Sequence, residues 1–272
     1  MHGKHWTMAF IKLRDGEQLF YEKHGGGPAL LLVAGLGGVG TFWGRHVAAL
    51  AKHFTVVVHD HRGCGRSAHS RIAYSVDQMA ADVLDLMAAL DIKRAHFIGH
   101  STGGAIGQIL ALDHPARIDR LVLSSTWTSA DAYMKRLFDV RGGVLAKGGD
   151  GLYRSLSNLI MYPPWWIAQN AEALEASQAR SDIPATPRDI AQSRIDAIMR
   201  FDRSKDLERL SHRCLVMCAR DDLITPVYYS EALARAIPNA RLAVLPTGGH
   251  FYNHVCPDDF ERLSIEFLTA PA

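Results

Sequence analysis

The sequence predicts an α/β fold, a mostly parallel sheet with helices on both faces. Three observations point there. Short apolar runs such as "ALLLVAG", "FTVVVHDHRG" and "RAHFIGH" read as strands covered on both sides. They alternate with stretches whose apolar residues recur every three or four positions, the rhythm of strand–helix–strand units. Finally, Gly99-x-Ser101-x-Gly103 sets one serine among residues without bulk, as a sharp strand-to-helix turn requires.

Taken in order, "AFIKLRDG" and "EQLFYEKHGGG" form a hairpin around Asp15-Gly16. "ALLLVAG" is the first doubly covered strand, "TFWGRHVAALAK" a helix and "FTVVVHDHRG" the next strand. In "SVDQMAADVLDLMAALDI", Val76, Met79, Ala80, Val83, Met87 and Leu90 make one helical face, and Ser75 with Gln78 makes a capping box. "RAHFIGH" is a strand, Ser101 opens a helix ending near His114-Pro115, and "IDRLVLSST" is a strand. Residues 128–205 carry helical segments with no buried-strand pattern, punctuated by Gly142-Gly143, Gly148-Gly149 and "MYPPWW". They read as a helical lid inserted into a core of residues 1–127 and 206–272. Alternation resumes with "CLVMCAR", "PVYYSEALARAI" and "RLAVLPTGGH", and a last helix starts at Pro257.

The 272 residues are 48% hydrophobic, enough for one large core with a small appended lid. Net charge is +2 with both signs interspersed, which argues against a nucleic-acid partner. No apolar run reaches the roughly 18 residues of a membrane span, so no membrane partner is expected. "MHGKHWTMAF" lacks the apolar block of a signal peptide, so the expected location is cytoplasmic. Cys214 and Cys218 stand about 13 Å apart on one strand face, too far to bridge each other, and read as free thiols.

Serine is a weak nucleophile at neutral pH and needs a base, which in turn needs a group to fix its tautomer. In this architecture both belong on loops after later strands, at the carboxyl edge of the sheet. "CARDDLITP" supplies Asp221 and Asp222, and "LPTGGHFYNH" supplies His250, giving the order Ser, Asp, His. With these residues in view, the chain resembles the α/β-hydrolase-fold enzymes over nearly its whole length apart from the lid. "GHSTG" resembles their nucleophile elbow, "ARDDLITP" their acid loop, "GGHFYN" their histidine loop and "DHRGCGRS" their Asp-x-Arg-Gly-x-Gly-x-Ser turn. The resemblance implies about eight strands with the lid after the sixth. It assigns catalysis to Ser101, Asp222 and His250, and the oxyanion hole to the amides of Leu36 and Thr102. Asp60, Arg62 and Ser67 would form a structural network. One departure stands out, because Ala34-Gly35 replaces the His-Gly usual in the oxyanion loop.

"GLGGVGTFW", "MYPPWW", "CARDDLITP" and "GGHFYNH" are similar to segments of aminoacrylate hydrolases of pyrimidine degradation. More loosely, the chain is similar to 3-oxoadipate enol-lactonases and to cofactor-free haloperoxidase/esterases. The resemblance implies cofactor-free hydrolysis of a small carboxylic ester, lactone or related C–N bond. A ligand receptor without catalysis, or haloperoxidase or perhydrolase activity at the same triad, are the alternatives. Gly35, Trp127, Trp165, Trp166 and Phe251 are the candidate pocket residues, Trp127 foremost because it leaves a strand at the Ser101 edge. Lid arginines Arg136, Arg141 and Arg154 can meet a substrate carboxylate, but acidic residues are about as frequent in the segment, which favours a solvated surface over a binding role. His59 and His61 around Asp60 read as structural, and His250 with His254 as a weak metal pattern, so no metal is expected. A small-molecule substrate is the expected partner, and self-association is left open.

Overall fold

In the computed structural model, which describes residues 6–179 and 183–271, eight strands form one sheet in the order β1-β2-β4-β3-β5-β6-β7-β8. The hairpin of β1 (Trp6–Lys12) and β2 (Gln18–Gly25) is antiparallel, and its turn uses Gly16 at a φ of 91°. β2 joins β4 (Thr55–His59) antiparallel. From there β4, β3 (Ala29–Val33), β5 (Ala95–His100), β6 (Ile118–Ser124), β7 (Cys214–Ala219) and β8 (Ala240–Leu245) run parallel. All six residues of β5 and of β7 are buried, as expected for strands covered on both faces.

Helices α1 (Gly44–Leu50), α2 (Val76–Ala89) and α3 (Thr102–Asp113) fall between the first six strands. The segment "TFWGRHVAALAK" is not one helix: a 3-10 turn over Gly40–Trp43 precedes α1. Ser75 caps α2 by accepting the Gln78 amide at 3.0 Å. The reciprocal half of the box is missing, because the Gln78 side chain turns to Asp82 instead.

Between β6 and β7 come α4 (Ala132–Met161), α5 (Pro164–Ala179) and α6 (Arg188–Arg200). Residues 180–182 of the expected lid segment lie outside the described residues. Gly149, at φ 76° and ψ 175°, breaks α4, whereas Gly142 and Gly143 pass through it as helix. After β7 come α7 (Val227–Ala236), and after β8 the short α8 (Tyr252–Val255) and α9 (Pro257–Thr269). Among the described residues no helix is long and apolar enough to cross a membrane.

The turn after β4 is held by the network that the "DHRGCGRS" motif implies. Asp60 accepts the Gly40 amide at 2.8 Å and the Arg66 amide at 2.9 Å. Ser67 donates to the Asp60 carbonyl and accepts the Phe20 amide at 2.9 Å, tying the turn to β2. Arg62 grips Asp82 of α2 through Nε and Nη2 at 3.1 and 2.9 Å, with both side chains buried. Removing one partner of such a pair strands a buried charge. Arg62→Met should therefore cost about 3–5 kcal/mol in unfolding free energy by urea titration. A loss within error would mean that the pair does not stabilise this turn.

Candidate active site

β5 ends against the rest of the sheet, and the chain must reverse into α3 within one residue. Ser101 takes that position at φ 54° and ψ −117°, a conformation that side chains rarely adopt. Its amide donates to the Ser124 carbonyl at 2.8 Å, and its carbonyl accepts the Thr126 hydroxyl at 2.7 Å. The flanking glycines are dictated by contact. A Cβ on Gly99 would lie 2.2 Å from the Gly103 carbonyl oxygen, and one on Gly103 would lie 2.0 Å from that of Val33. The turn is thus clamped from both sides, and the serine side chain lines a cavity of about 540 Å³.

His250 lines the same cavity from the loop after β8. Its Nδ1 lies 2.9 and 3.1 Å from the two carboxylate oxygens of Asp222, and both side chains are only 2% exposed. Asp222 is built into its own turn, accepting the amides of Ile224 and Thr225 and the Thr225 hydroxyl at 2.8–2.9 Å. Burial pushes its carboxyl up. The charge of His250, their hydrogen bond and the two amides outweigh that and hold it below the ordinary 3.8. No hydrogen bond joins Ser101 Oγ to His250 Nε2 in this structure.

Asp221 has a separate task. It accepts the Thr247 hydroxyl at 2.6 Å and the Gly249 amide at 2.8 Å, so it bridges to the histidine loop. The end of α4 also holds that loop, since the Phe251 amide donates to the Met161 carbonyl at 3.1 Å.

Leu36 and Gly35 line the cavity, and a Cβ on Gly35 would sit 3.0 Å from Ser101 Cβ. Among the described residues the amides of Leu36 and Thr102 donate to no protein acceptor. A brace for this loop comes from a place the sequence reading passed over. Arg194 of α6, fully buried, donates to the carbonyls of Leu36 at 3.2 Å and Arg62 at 3.1 Å and faces His61 Nδ1 at 3.2 Å. Its position is 158 residues from Leu36, and nothing in the local pattern of α6 marks it.

Of the five expected pocket residues, Gly35 and Phe251 line the cavity and the three tryptophans do not. Trp127 is buried, edge-on at 6.0 Å to Phe201 just past α6, after the chain turns at Ser125 (φ 43°) on leaving β6. Trp165 is 46% exposed and donates to the Thr247 hydroxyl, and Trp166 stacks on Tyr162 at 4.4 Å. The apolar walls are instead Phe42, Phe138, Leu145, Met161 and Ile224. Of the lid arginines, Arg141 and Arg154 line the cavity; Arg136 is exposed elsewhere.

Histidines crowd this end of the sheet. His100 is fully buried, its ring 4.9 Å from that of His250 and its Nδ1 3.0 Å from the Ser124 hydroxyl. Burial, and then the neighbouring His250, His254 and His46, hold it well below 6.5. A neutral His100 adds no repulsion when His250 takes a proton. Burial likewise lowers His46, His59 and His254 to about 4, and His59 stacks on His61 at 4.8 Å. Among the described residues no group of three His, Cys, Asp or Glu side chains could hold a metal.

A strained serine at the carboxyl edge of the sheet, a buried carboxylate–imidazole pair on the same cavity and unpaired amides at Leu36 and Thr102 fit a hydrolase of the α/β type. The comparisons agree: the chain belongs to the α/β-hydrolase-fold family, whose model matches residues 28–255. It is 39% identical over 260 residues to "Putative carbamate hydrolase RutD" of Caulobacter sp. (strain K31), covering 93% of this chain and 97% of that protein. Among solved structures it is similar to the enol-lactonase from Burkholderia xenovorans LB400. That match has a TM-score of 0.88, 28% identity, and coverage of 96% of this chain and 100% of the other. A hydrolase from Pseudomonas aeruginosa PA01 also has a TM-score of 0.88, at 31% identity, covering 97% of this chain and 99% of that one.

The depressed histidines set a sign for acid stability. Unfolded, His46, His59 and His254 take protons near 6.5; folded, they resist until about 4. Their stability is therefore whole above pH 6.5 and is lost as pH falls toward 4, at about 1.4 kcal/mol per pH unit for each histidine. Melting temperature followed from pH 7 to 4 should drop through that window. A flat profile would mean that these rings are charged in the fold.

Proposed function

We propose that the chain is a serine hydrolase that cleaves a small carboxylic ester, lactone or related C–N bond through an acyl-enzyme intermediate. The observation that carries this reading is the buried Asp222–His250 pair opening on the cavity that holds Ser101. Asp222 fixes the proton of His250 on Nδ1, which leaves Nε2 free to act as base. His250 takes the Ser101 proton as Oγ bonds to the substrate carbonyl carbon. The carbonyl oxygen becomes an oxyanion held by the amides of Leu36 and Thr102. His250 Nε2 then gives the proton to the leaving oxygen or nitrogen as that bond breaks. Water repeats the sequence on the acyl-serine and releases the acid.

Contacts between Ser101 and His250 tighten when substrate excludes water, as is common in such sites. Residues 128–205 act as the lid that shapes the substrate pocket, supported by the α4 and α6 residues in its wall. The names of the relatives, carbamate hydrolase and enol-lactonase, bracket the bond types: each presents an acyl carbon to a nucleophile.

Two measurements test the reading. Ser101→Ala should abolish turnover of short-chain esters and lactones, together with labelling by a fluorophosphonate, while the circular dichroism spectrum stays unchanged. Turnover comparable with the parent would remove Ser101 from the mechanism. Asp222→Asn should lower kcat by about 10⁴-fold, since the amide favours the wrong imidazole tautomer. Asp221→Asn should cost far less, and a reversed ranking would reassign the acid.

A further inference from the structure

Two guanidinium groups are buried in the wall of the cavity, and neither pairs with a carboxylate. Arg194 spends its terminal nitrogens on the Leu36 and Arg62 carbonyls. Arg141 of α4 is 3% exposed and far less satisfied. Of its five N–H donors, one makes a hydrogen bond, from Nη2 to the Tyr153 hydroxyl at 3.0 Å. Its Nε is buried with no acceptor. The Phe138 and Tyr153 rings hold the guanidinium carbon at 4.9 and 5.4 Å from their centroids. Among the described residues one acidic side chain, Asp150, lines the cavity, and Arg188 of α6 engages it at 2.7 Å.

A buried cation is costly unless a partner compensates it, and a fixed guanidinium fork is suited to a planar carboxylate. Tyr153, which also lines the cavity, accepts from Arg141, so its own proton is free to donate to the same ligand. We propose that Arg141 and Tyr153 form an anion subsite, and that the substrate carries a free carboxylate remote from the carbonyl that Ser101 attacks. The cavity has room for a short carbon chain between the two ends. The carboxylate of the substrate is the missing counter-ion, so productive binding neutralises the α4 wall. Neutral esters of the same length leave Arg141 unpaired. The placement of the scissile bond rests on Ser101 being the nucleophile; the anion subsite does not.

The test uses monomethyl and dimethyl esters of succinate, glutarate and adipate, pairs that differ in whether one end is charged. In Ser101→Ala, calorimetry should give a Kd at least tenfold lower for the best monoester than for its diester. Adding Arg141→Met should bring the two within threefold, and Tyr153→Phe should narrow the gap partway. In the unmutated chain, kcat/KM should favour that monoester by at least tenfold. Should Arg141→Met not fold, Arg141→Lys, which keeps the charge and loses the fork, should still shrink the ratio. Equal binding of monoester and diester in Ser101→Ala, or a preference that survives loss of Arg141, overturns the subsite. A monoester preference in binding without turnover of any ester would sink the acyl-enzyme reading and leave the subsite standing.

Discussion

A carboxylate and an imidazole withdrawn from water side by side set the terms for everything else at this site. Each would be costly to bury alone. Asp222 is tolerated because its own turn supplies three donors and His250 a fourth, so the carboxylate stays ionised at 2% exposure. The imidazole in turn is held with one nitrogen committed and the other facing the cavity. Reorganisation that water would otherwise supply has been done in advance by the fold, the arrangement from which preorganised catalysis draws its strength.

On the proposed mechanism the pair needs a nucleophile on the same cavity, and backbone geometry places Ser101 there. Ser101 at positive φ is an unfavourable local choice, compatible with the fold because β5, β6 and α3 over-determine it through the Ser124 carbonyl, the Thr126 hydroxyl and two tight glycine contacts. The segment between β6 and β7 then completes the site from above. Met161 holds the histidine loop, Arg194 holds the Leu36 loop, and Phe138, Leu145 and Arg141 supply the wall. Arg194 also answers the departure at Ala34: a brace that a side chain within the loop does not provide arrives from α6.

What the sequence made legible is what short-range geometry dictates. The elbow, the acid turn, the histidine loop and the Asp60 turn each need particular residues within ten positions, because glycines, caps and tight turns act locally. The inner strands were readable for a similar reason, since doubly covered strands are continuous apolar runs, and the first two through the Asp15-Gly16 turn between them. The pocket wall was not readable. Trp127 leaves β6 at the correct edge yet packs against Phe201, Trp165 is half-exposed on Thr247, and Trp166 stacks on Tyr162. Which face of a helix between β6 and β7 meets the cavity depends on how that helix docks, and periodicity alone carries no such information. Arg141 was in reach as a lid arginine, but only its burial separates it from the exposed Arg136.

The central claim is that the hydroxyl at position 101 carries the acyl group between two proton transfers through His250. Acid-quenched mass spectrometry during turnover of a p-nitrophenyl ester tests it most directly. One added acyl mass is expected, confined to the peptide that contains Ser101 and growing in as the first equivalent of p-nitrophenol is released. Steady turnover with no adduct on that peptide, or an adduct on another residue, would contradict it.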